Sequence, residues 1–232
     1  LTPRTLNTRA RTELLQIQFT TGRNTIFEGI DRVRPGETIR IVHGSIVERQ
    51  TRPALPSVTR PLPTLSEEQA LKQLDHAIMD SVQAHERADV PFGLFLSGGI
   101  DSATLLTAMQ RLPRTAPLKT WTAVFDAPNA ANEAQNAATL AHAAQAEHET
   151  LTLTAPMVWA HLPAIAACMD DPAADYAIIP TWFLARKAAQ DVRVILSGEG
   201  GDELFCGYGR YRTAARPWWR HPSGDAAGRP AR

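Results

Sequence analysis

VPFGLFLSGGIDSATLL, running from Val90 to Leu106, begins as an apolar run, stops at two glycines set among hydroxyls and one carboxylate, and resumes as a helix former. Such a run predicts a strand covered on both faces, as the inner strands of parallel sheets are. Gly98 and Gly99 predict a tight strand-to-helix turn, with Ser97 or Asp101 available to cap the helix. The same turn admits a second reading, because bare backbone N–H groups at a helix N-terminus cradle anions. The rest of the chain has to choose between a plain turn and a cradle.

Outward from this stretch, strands and helices alternate. Upstream, Ser66 and Gln69 form a capping box ahead of a helix. Glu67 and Glu68 suit its positive end, and Leu71, Leu74, Ile78 and Val82 form its apolar stripe. Downstream, the pattern predicts a helix from near Asp101, a strand through LKTWTAVF and a helix over Asn132 to Glu147. A strand HETLTL, a helix from near Pro156, a helix over Thr181 to Gln190 and a strand VRVIL at Val192–Leu196 follow. Alternation of this kind predicts right-handed βαβ units and an α/β fold with a doubly wound parallel sheet. Ligands bind such sheets beyond the carboxyl ends of their strands, where both the Ser97 turn and the loop after Leu196 fall. No internal repeat is visible.

The amino-terminal part reads differently. Residues 24–49 predict β structure: TIFEGI, a turn at Pro35-Gly36, then ETIRIV and SIVER on either side of a hairpin turn at His43-Gly44. TRPALPSVTRPLPTL carries Pro53, Pro56, Pro61 and Pro63 and predicts an extended linker. The expected layout is therefore a β segment over 1–50, a linker over 51–65, an α/β domain over 66–220 and a disordered tail over 221–232. The chain starts at Leu1 and finishes in HPSGDAAGRPAR, and both ends read as those of a fragment.

Bulk composition narrows the function classes. Of 232 residues, 44% are hydrophobic and 21% charged, the make-up of a globular protein rather than a disordered one. Lys plus Arg balance Asp plus Glu at 24 each, so no global field recruits nucleic acid or an anionic membrane. No apolar run has the length of a membrane span and no signal peptide opens the chain. Cys168 and Cys206 are too few for a disulfide framework, and a reducing cytoplasm is the expected compartment. The seven histidines show no metal-ligand spacing. His142 and His148 are expected to face solvent or cap the following strand. RPWWR, at 216–220, reads as tryptophans packing a helix onto a core.

Two loops carry the chemistry. SGGIDS lacks the lysine of a Walker A loop and the third glycine of a dinucleotide fingerprint. What remains is a short nest with a hydroxyl at each end, suited to pyrophosphate oxygens. Asp101 inside it would repel them unless Mg²⁺ lay between, which points to pyrophosphate-releasing chemistry with Asp101 as a metal ligand. The second loop, SGEGGDELFCGYGRY at Ser197–Tyr211, mimics a dinucleotide fingerprint but has Glu203 where the last glycine belongs. Glu199, Asp202 and Glu203 stand there among three glycines at the same edge of the sheet.

Together these segments resemble the asparagine synthetase family, in its ATP-pyrophosphatase-type synthetase domain. The SGGxDS loop is Ser97–Ser102, the SGEGxDELFxGY signature is Ser197–Tyr208, and a DxP-type loop between them is Asp170-Asp171-Pro172. NTIFEGIDRVRPGETIRIVHGSIVER is similar to the closing strands of the family's class II glutaminase domain. The resemblance covers most of residues 20–211. It implies an adenine nucleotide alpha hydrolase-like fold, preceded by a short β segment from a truncated glutaminase domain.

The resemblance further implies ATP and Mg²⁺ as cofactors. Pyrophosphate would lie on Ser97, Gly98, Gly99 and Ser102, with Mg²⁺ held by Asp101 and Asp202. Phe95 and Ala123 would flank the adenine, and Ser197 and Gly198 would contact the nucleotide. A substrate carboxylate, the side chain of aspartate in the family's main members, would attack the α-phosphorus to give an acyl-adenylate. Ammonia, supplied from glutamine by a glutaminase domain absent here, would then form the amide. Glu199 would be the catalytic carboxylate that takes the proton ammonia sheds. The partners implied are a small carboxylate substrate and a possible second copy in a homodimer, with no nucleic acid and no membrane.

The family's glutaminase nucleophile is an amino-terminal cysteine, whereas this sequence opens at Leu1. Its adenylation lysine comes from beyond the second signature. Val124 stands where relatives often carry glycine. Two other readings remain beside the synthetase. β-Lactam synthetases and peptide cyclases keep the acyl-adenylate and use an internal amine, and an acid at Glu199 favours ammonia over that branch. The second is a nucleotide-binding remnant without turnover.

Overall fold

The computed structural model describes residues 5–53, 64–114, 116–127, 133–169, 172 and 175–214. Most of the proline linker (54–63), Asn132, Asp170, Asp171, RPWWR and the tail over 221–232 lie outside the described residues. In chain order the elements are α1 Thr8–Ile17, β1 Glu37–Val42, β2 Ser45–Thr51, α2 Glu67–His85, β3 Phe92–Phe95, α3 Ile100–Gln110 and β4 Lys119–Phe125. They continue with α4 Ala134–Ala143, β5 Glu147–Leu153, α5 Ala155–Ala167, α6 Ile178–Ala188, β6 Val194–Leu196, α7 Gly201–Phe205 and α8 Gly209–Ala214. The chain forms two compact units, Leu1–Asp75 with Leu153–Phe183 and His76–Thr152 with Leu184–Arg232. Among the described residues no helix is long and apolar enough to cross a membrane.

In the first unit the hairpin β1–β2 is antiparallel, and its turn residues His43 and Gly44 both have positive φ, 49° and 77°. Paired positive φ values give a turn whose twist matches the strands. TIFEGI departs from the expected strand. Among the described residues it contributes one isolated bridge, Phe27 with Leu6, and a second, Asn24 with Asp31, closes just outside it. The Thr25 hydroxyl bends it, donating to the Ile30 carbonyl at 2.7 Å and accepting from the Phe27 N–H at 3.1 Å. Glu37 ties the unit together. Its carboxylate accepts from Arg23 at 2.7 and 3.0 Å, from Arg49 at 3.2 Å and from the Arg34 N–H at 2.9 Å. The Arg23 guanidinium first, then the Arg34 N–H, hold the carboxyl down from its ordinary 4.5 to about 2. Helix α1 was not foreseen. Asn7 caps it, accepting from the Ala10 N–H at 3.0 Å.

The capping box of α2 is present: Ser66 N–H donates to Gln69 Oε1 at 3.0 Å, and Gln69 N–H to Ser66 Oγ at 3.2 Å. The expected stripe divides, however. Ile78, Met79 and Val82 pack into the core of the second unit, whereas Leu71 and Leu74 are exposed.

The second unit is a four-stranded sheet in the order β5-β4-β3-β6. Strand β3 runs parallel to β4, Leu94 opposite Thr120, and parallel to β6, Leu94 opposite Leu196. Alternation along β3 sends Leu94 and Leu96 to one face, against Val82, Leu106, Met109, Ala137 and Ala141 of α2, α3 and α4. Phe95, Ala123 and Ile195 face the other side, with Trp121, Leu184 and Ala188 of α6, and Val192. Gly93 makes room for the Trp121 ring, since a Cβ there would lie 2.5 Å from Cζ3. Covering on both faces is what a doubly wound sheet requires. From β3 the chain steps outward to β4 and β5, then returns to place β6 on the other side of β3. The order reverses beside β3, the position at which such sheets open a crevice.

Several boundaries differ from expectation for local reasons. Helix α4 stops at Ala143 rather than Glu147, because Gln145 turns left-handed (φ 52°) and Ala146 N–H closes back onto the Ala141 carbonyl. Val192 closes the turn that follows α6, its N–H donating to the Ala188 carbonyl at 2.8 Å, so β6 starts only at Val194. Cys168 is the C-cap of α5, and both cysteines are exposed.

Candidate functional site

Because β3 and β6 are parallel neighbours, the loops that follow them leave the same edge of the sheet. In the first loop Gly98 has φ 83°, and a Cβ there would also lie 3.0 Å from the Glu133 carbonyl and 3.2 Å from the Ala137 nitrogen. The turn is thus pressed against the start of α4 and has no space for a side chain. Among the described residues the N–H groups of Gly98, Ile100, Asp101 and Ser102 have no carbonyl partner, and that of Gly99 goes to Ser97 Oγ at 3.2 Å. These donors open α3, an eleven-residue helix whose dipole adds to their pull on an anion.

The two serines of the loop differ in availability. Ser102 is 3% exposed, and its hydroxyl accepts from the Ser97 N–H at 3.2 Å and donates to the Gly99 carbonyl at 3.2 Å. Its oxygen also lies 3.0 Å from Ser97 Oγ. In this structure Ser102 staples the loop. Ser97 is exposed and is the hydroxyl nearer to solvent.

The second loop approaches the first closely. A Cβ on Gly198 would come within 2.9 Å of the Ser102 nitrogen and 3.0 Å of Asp101 Cβ. A Cβ on Gly201 would fall 2.5–2.8 Å from the three atoms of the Asp101 carboxylate group. Asp101 therefore sits on the start of α7. Gly200 precedes it with φ 94°. Asp202 points back along its own helix, with Oδ1 only 1.9 Å from where a Gly207 Cβ would be. Glu203 accepts from the Tyr208 hydroxyl at 2.9 Å, and Tyr208 meets Tyr211 edge-on at 5.5 Å.

Glu199 is exposed at the rim, Ser197 and Gly198 are half-buried, and Phe95 and Ala123 are half-buried on the Trp121 face of the sheet. The structure thus brings Ser97–Ser102 together with Gly198 and Gly201. Phe95 and Ala123 lie on the adjoining strands. Asp170 and Asp171 fall outside the described residues. Gly201 was passed over in the sequence, where it occupies the unspecified position of the signature. Only its contact with Asp101 marks it.

Among the described residues no group of three or more His, Cys, Asp or Glu side chains forms a metal-holding cluster. Mg²⁺ bound with nucleotide phosphates needs only one or two protein carboxylates. Asp101, half-buried beside four unpaired N–H groups, and Asp202 fit that requirement in number and donor type.

Comparison with known proteins identifies the family. The chain is 34% identical over 221 residues to asparagine synthetase [glutamine-hydrolyzing] 1 of Bacillus subtilis (strain 168), covering 94% of this chain and 34% of that protein. It is 35% identical over 206 residues to a putative asparagine synthetase [glutamine-hydrolyzing] of Mycobacterium bovis, covering 88% of this chain and 31% of that protein. The chain thus spans about a third of the length of these relatives. Among solved structures it resembles the NH3-dependent NAD synthetase of Campylobacter jejuni at 18% identity and a TM-score of 0.41, over 60% of each chain, a likeness too slight to carry an argument. The asparagine synthase family model matches residues 73–231, the span that holds both loops, and the chain belongs to that family.

Proposed function

We propose that this chain carries the ATP-binding part of an amide-forming ligase that activates a carboxylate, the side chain of aspartate, as an acyl-adenylate and then joins it to ammonia. The observation that carries the reading is the pairing of unfilled N–H donors at Gly98, Ile100, Asp101 and Ser102 with the close approach of Gly198 and Gly201 from the neighbouring strand. Membership of the family and the names of the relatives support the same chemistry.

In this reading Ser97, Gly98, Gly99 and the start of α3 hold the β- and γ-phosphates, with Ser102 keeping the loop in shape. Phe95 and Ala123 border the adenine, and Ser197 and Gly198 lie along the nucleotide. Mg²⁺ would be held by Asp101 and Asp202 and would offset charge on the departing pyrophosphate. The substrate carboxylate attacks the α-phosphorus, the bond to the β-phosphate oxygen breaks, and pyrophosphate leaves. Ammonia then adds to the acyl carbon and AMP departs. Glu199, exposed at the rim, takes the proton that the attacking nitrogen must lose. We assign residues 1–50 to the tail of a glutaminase domain, 66–220 to the synthetase domain, and the cytoplasm as the working compartment.

ATP–pyrophosphate exchange with the purified chain tests the reading across a panel of carboxylic acids. Exchange that depends on aspartate and Mg²⁺ is expected. MgATP binding without exchange for any acid would favour the nucleotide-binding remnant instead.

A further inference from the structure

The point at which the Ser97 loop leaves the sheet is set from outside the loop as well as within it. Successive residues along β3 turn their backbone groups to opposite neighbours, so Leu96 faces β4 and Ser97 faces β6. Leu96 N–H donates to the Trp121 carbonyl at 2.9 Å. A regular parallel ladder would continue with Ala123 N–H donating to the Leu96 carbonyl. Among the described residues that rung is not made. Thr122 Oγ1 donates to the Leu96 carbonyl in its place. On the other side the Ser97 N–H goes to Ser102 Oγ at 3.2 Å. Two hydroxyls thus end the pairing of this strand, one toward each neighbour. Ser102 belongs to the loop itself, whereas Thr122 is buried in β4, outside both signature loops. We propose that Thr122 is a positioning residue for the anion cradle: its hydroxyl takes the Leu96 carbonyl from the β4 backbone and so fixes where the Ser97 loop departs. In its bearing on phosphate the inference rests on the MgATP reading above.

A buried carbonyl left without a donor costs more than an ordinary hydrogen bond returns, so it finds another partner where one is in reach. Without the Thr122 hydroxyl, the donor facing the Leu96 carbonyl is Ala123 N–H, and the strand pairs one rung further. That rung draws Leu96, and Ser97 after it, toward β4. Gly98 has no slack to absorb the shift, being pressed against Glu133 and Ala137 at the start of α4. The free N–H groups of Gly98, Ile100, Asp101 and Ser102 then lose their common direction. Serine in place of Thr122 keeps the hydroxyl, and valine keeps the shape without it. Thr120 gives the contrast. It is an equally buried threonine two residues earlier on the same face, and its hydroxyl serves β5, 3.2 Å from the Glu147 carbonyl and 2.8 Å from His148 Nδ1.

The test uses the full chain, isotope-labelled, as parent, Thr122→Val, Thr122→Ser and Thr120→Val. Magnesium pyrophosphate is titrated into each, and exchange of individual amides is followed by NMR. In the parent, the Ala123 amide should exchange faster than that of Leu96, which is paired. In Thr122→Val, pyrophosphate affinity should fall ~10-fold, and Ala123 exchange should slow as the new rung forms. Thr122→Ser and Thr120→Val should match the parent in both respects. Slow Ala123 exchange in the parent, parental pyrophosphate affinity in Thr122→Val, or no rescue by serine would overturn the proposal. So would a general loosening of Thr122→Val, in which Ala123 quickens with its neighbours. If the parent binds no magnesium pyrophosphate, the MgATP reading fails by itself, and exchange alone decides the positioning. Slowing at Ala123 in Thr122→Val and in neither other variant then upholds it, and parental or faster exchange overturns it.

Discussion

The two units of the chain are held together by different forces. Around the hairpin, few apolar side chains are buried: β1 and β2 are almost wholly exposed, with Ile41, Val42, Ile46 and Val47 open to solvent. Order there comes from Glu37, its two arginines and the hydroxyl of Thr25. In the sheet unit Leu94, Leu96 and Met109 are 0–1% exposed, and polar contacts fill in around an apolar core. Charged hydrogen bonds answer to pH and salt, whereas burial answers to volume. The same chain should therefore fail in two different ways.

The largest effect is expected at the sheet. Leu94→Ala should cost about 2–5 kcal/mol in urea unfolding, because it empties a fully buried site. Hydrogen exchange should quicken at the β3 and β4 amides more than at Ile39 or Arg49; equal acceleration in both units would break the contrast. Next comes Gly98→Ala, at about 1–3 kcal/mol, since φ 83° strains any L-residue and the Glu133 carbonyl crowds the methyl. The loss should be read both in the melting temperature and in weaker ATP binding.

The third concerns pH. The Glu37 carboxyl is held below its ordinary 4.5, at about 2, so the ionised form is the one that the fold stabilises. Its contribution is present above pH 4.5 and is lost as pH falls from there toward about 2. Amide protection in β1 and β2 should weaken over that window before protection in β3 does, and Glu37→Gln should remove the pH dependence. The smallest effect belongs to Arg40 and Glu48, 3.1 Å apart but 66% and 58% exposed. Arg40→Ala should cost about 0–1 kcal/mol and less in high salt. A larger loss would mean the hairpin depends on its surface pairs.

What could be read from the residues divides along a similar line. Apolar runs and local turn chemistry were legible: the β3 strand, the Ser66–Gln69 capping box, the His43-Gly44 hairpin and the common edge of the two loops. Features set by particular side-chain contacts, near or far in sequence, were not. TIFEGI has strand composition, but Thr25 bends it by bonding to Ile30. Helix α1, TRARTELLQI, has no buried side chain except Ala10 to betray it. Ser102 was read as one of the residues that pyrophosphate would lie on, and the fold adds that its hydroxyl turns inward on Gly99. Gly201 could not be singled out at all, since its meaning lies in Asp101, which is far from it in the chain.

The outer strands of the sheet carry a last consequence. On one border, β5 presents Glu147 and Glu149, charges that make a poor template for another chain. On the opposite border, β6 is the three apolar residues Val194, Ile195 and Leu196, and among the described residues β3 is its one partner. Its other row of backbone donors and acceptors has no strand partner among the described residues. The sheet is thus polarised for growth: it repels strand addition at β5 and accepts it at β6, beside the crevice that the Ser97 and Gly198 loops share.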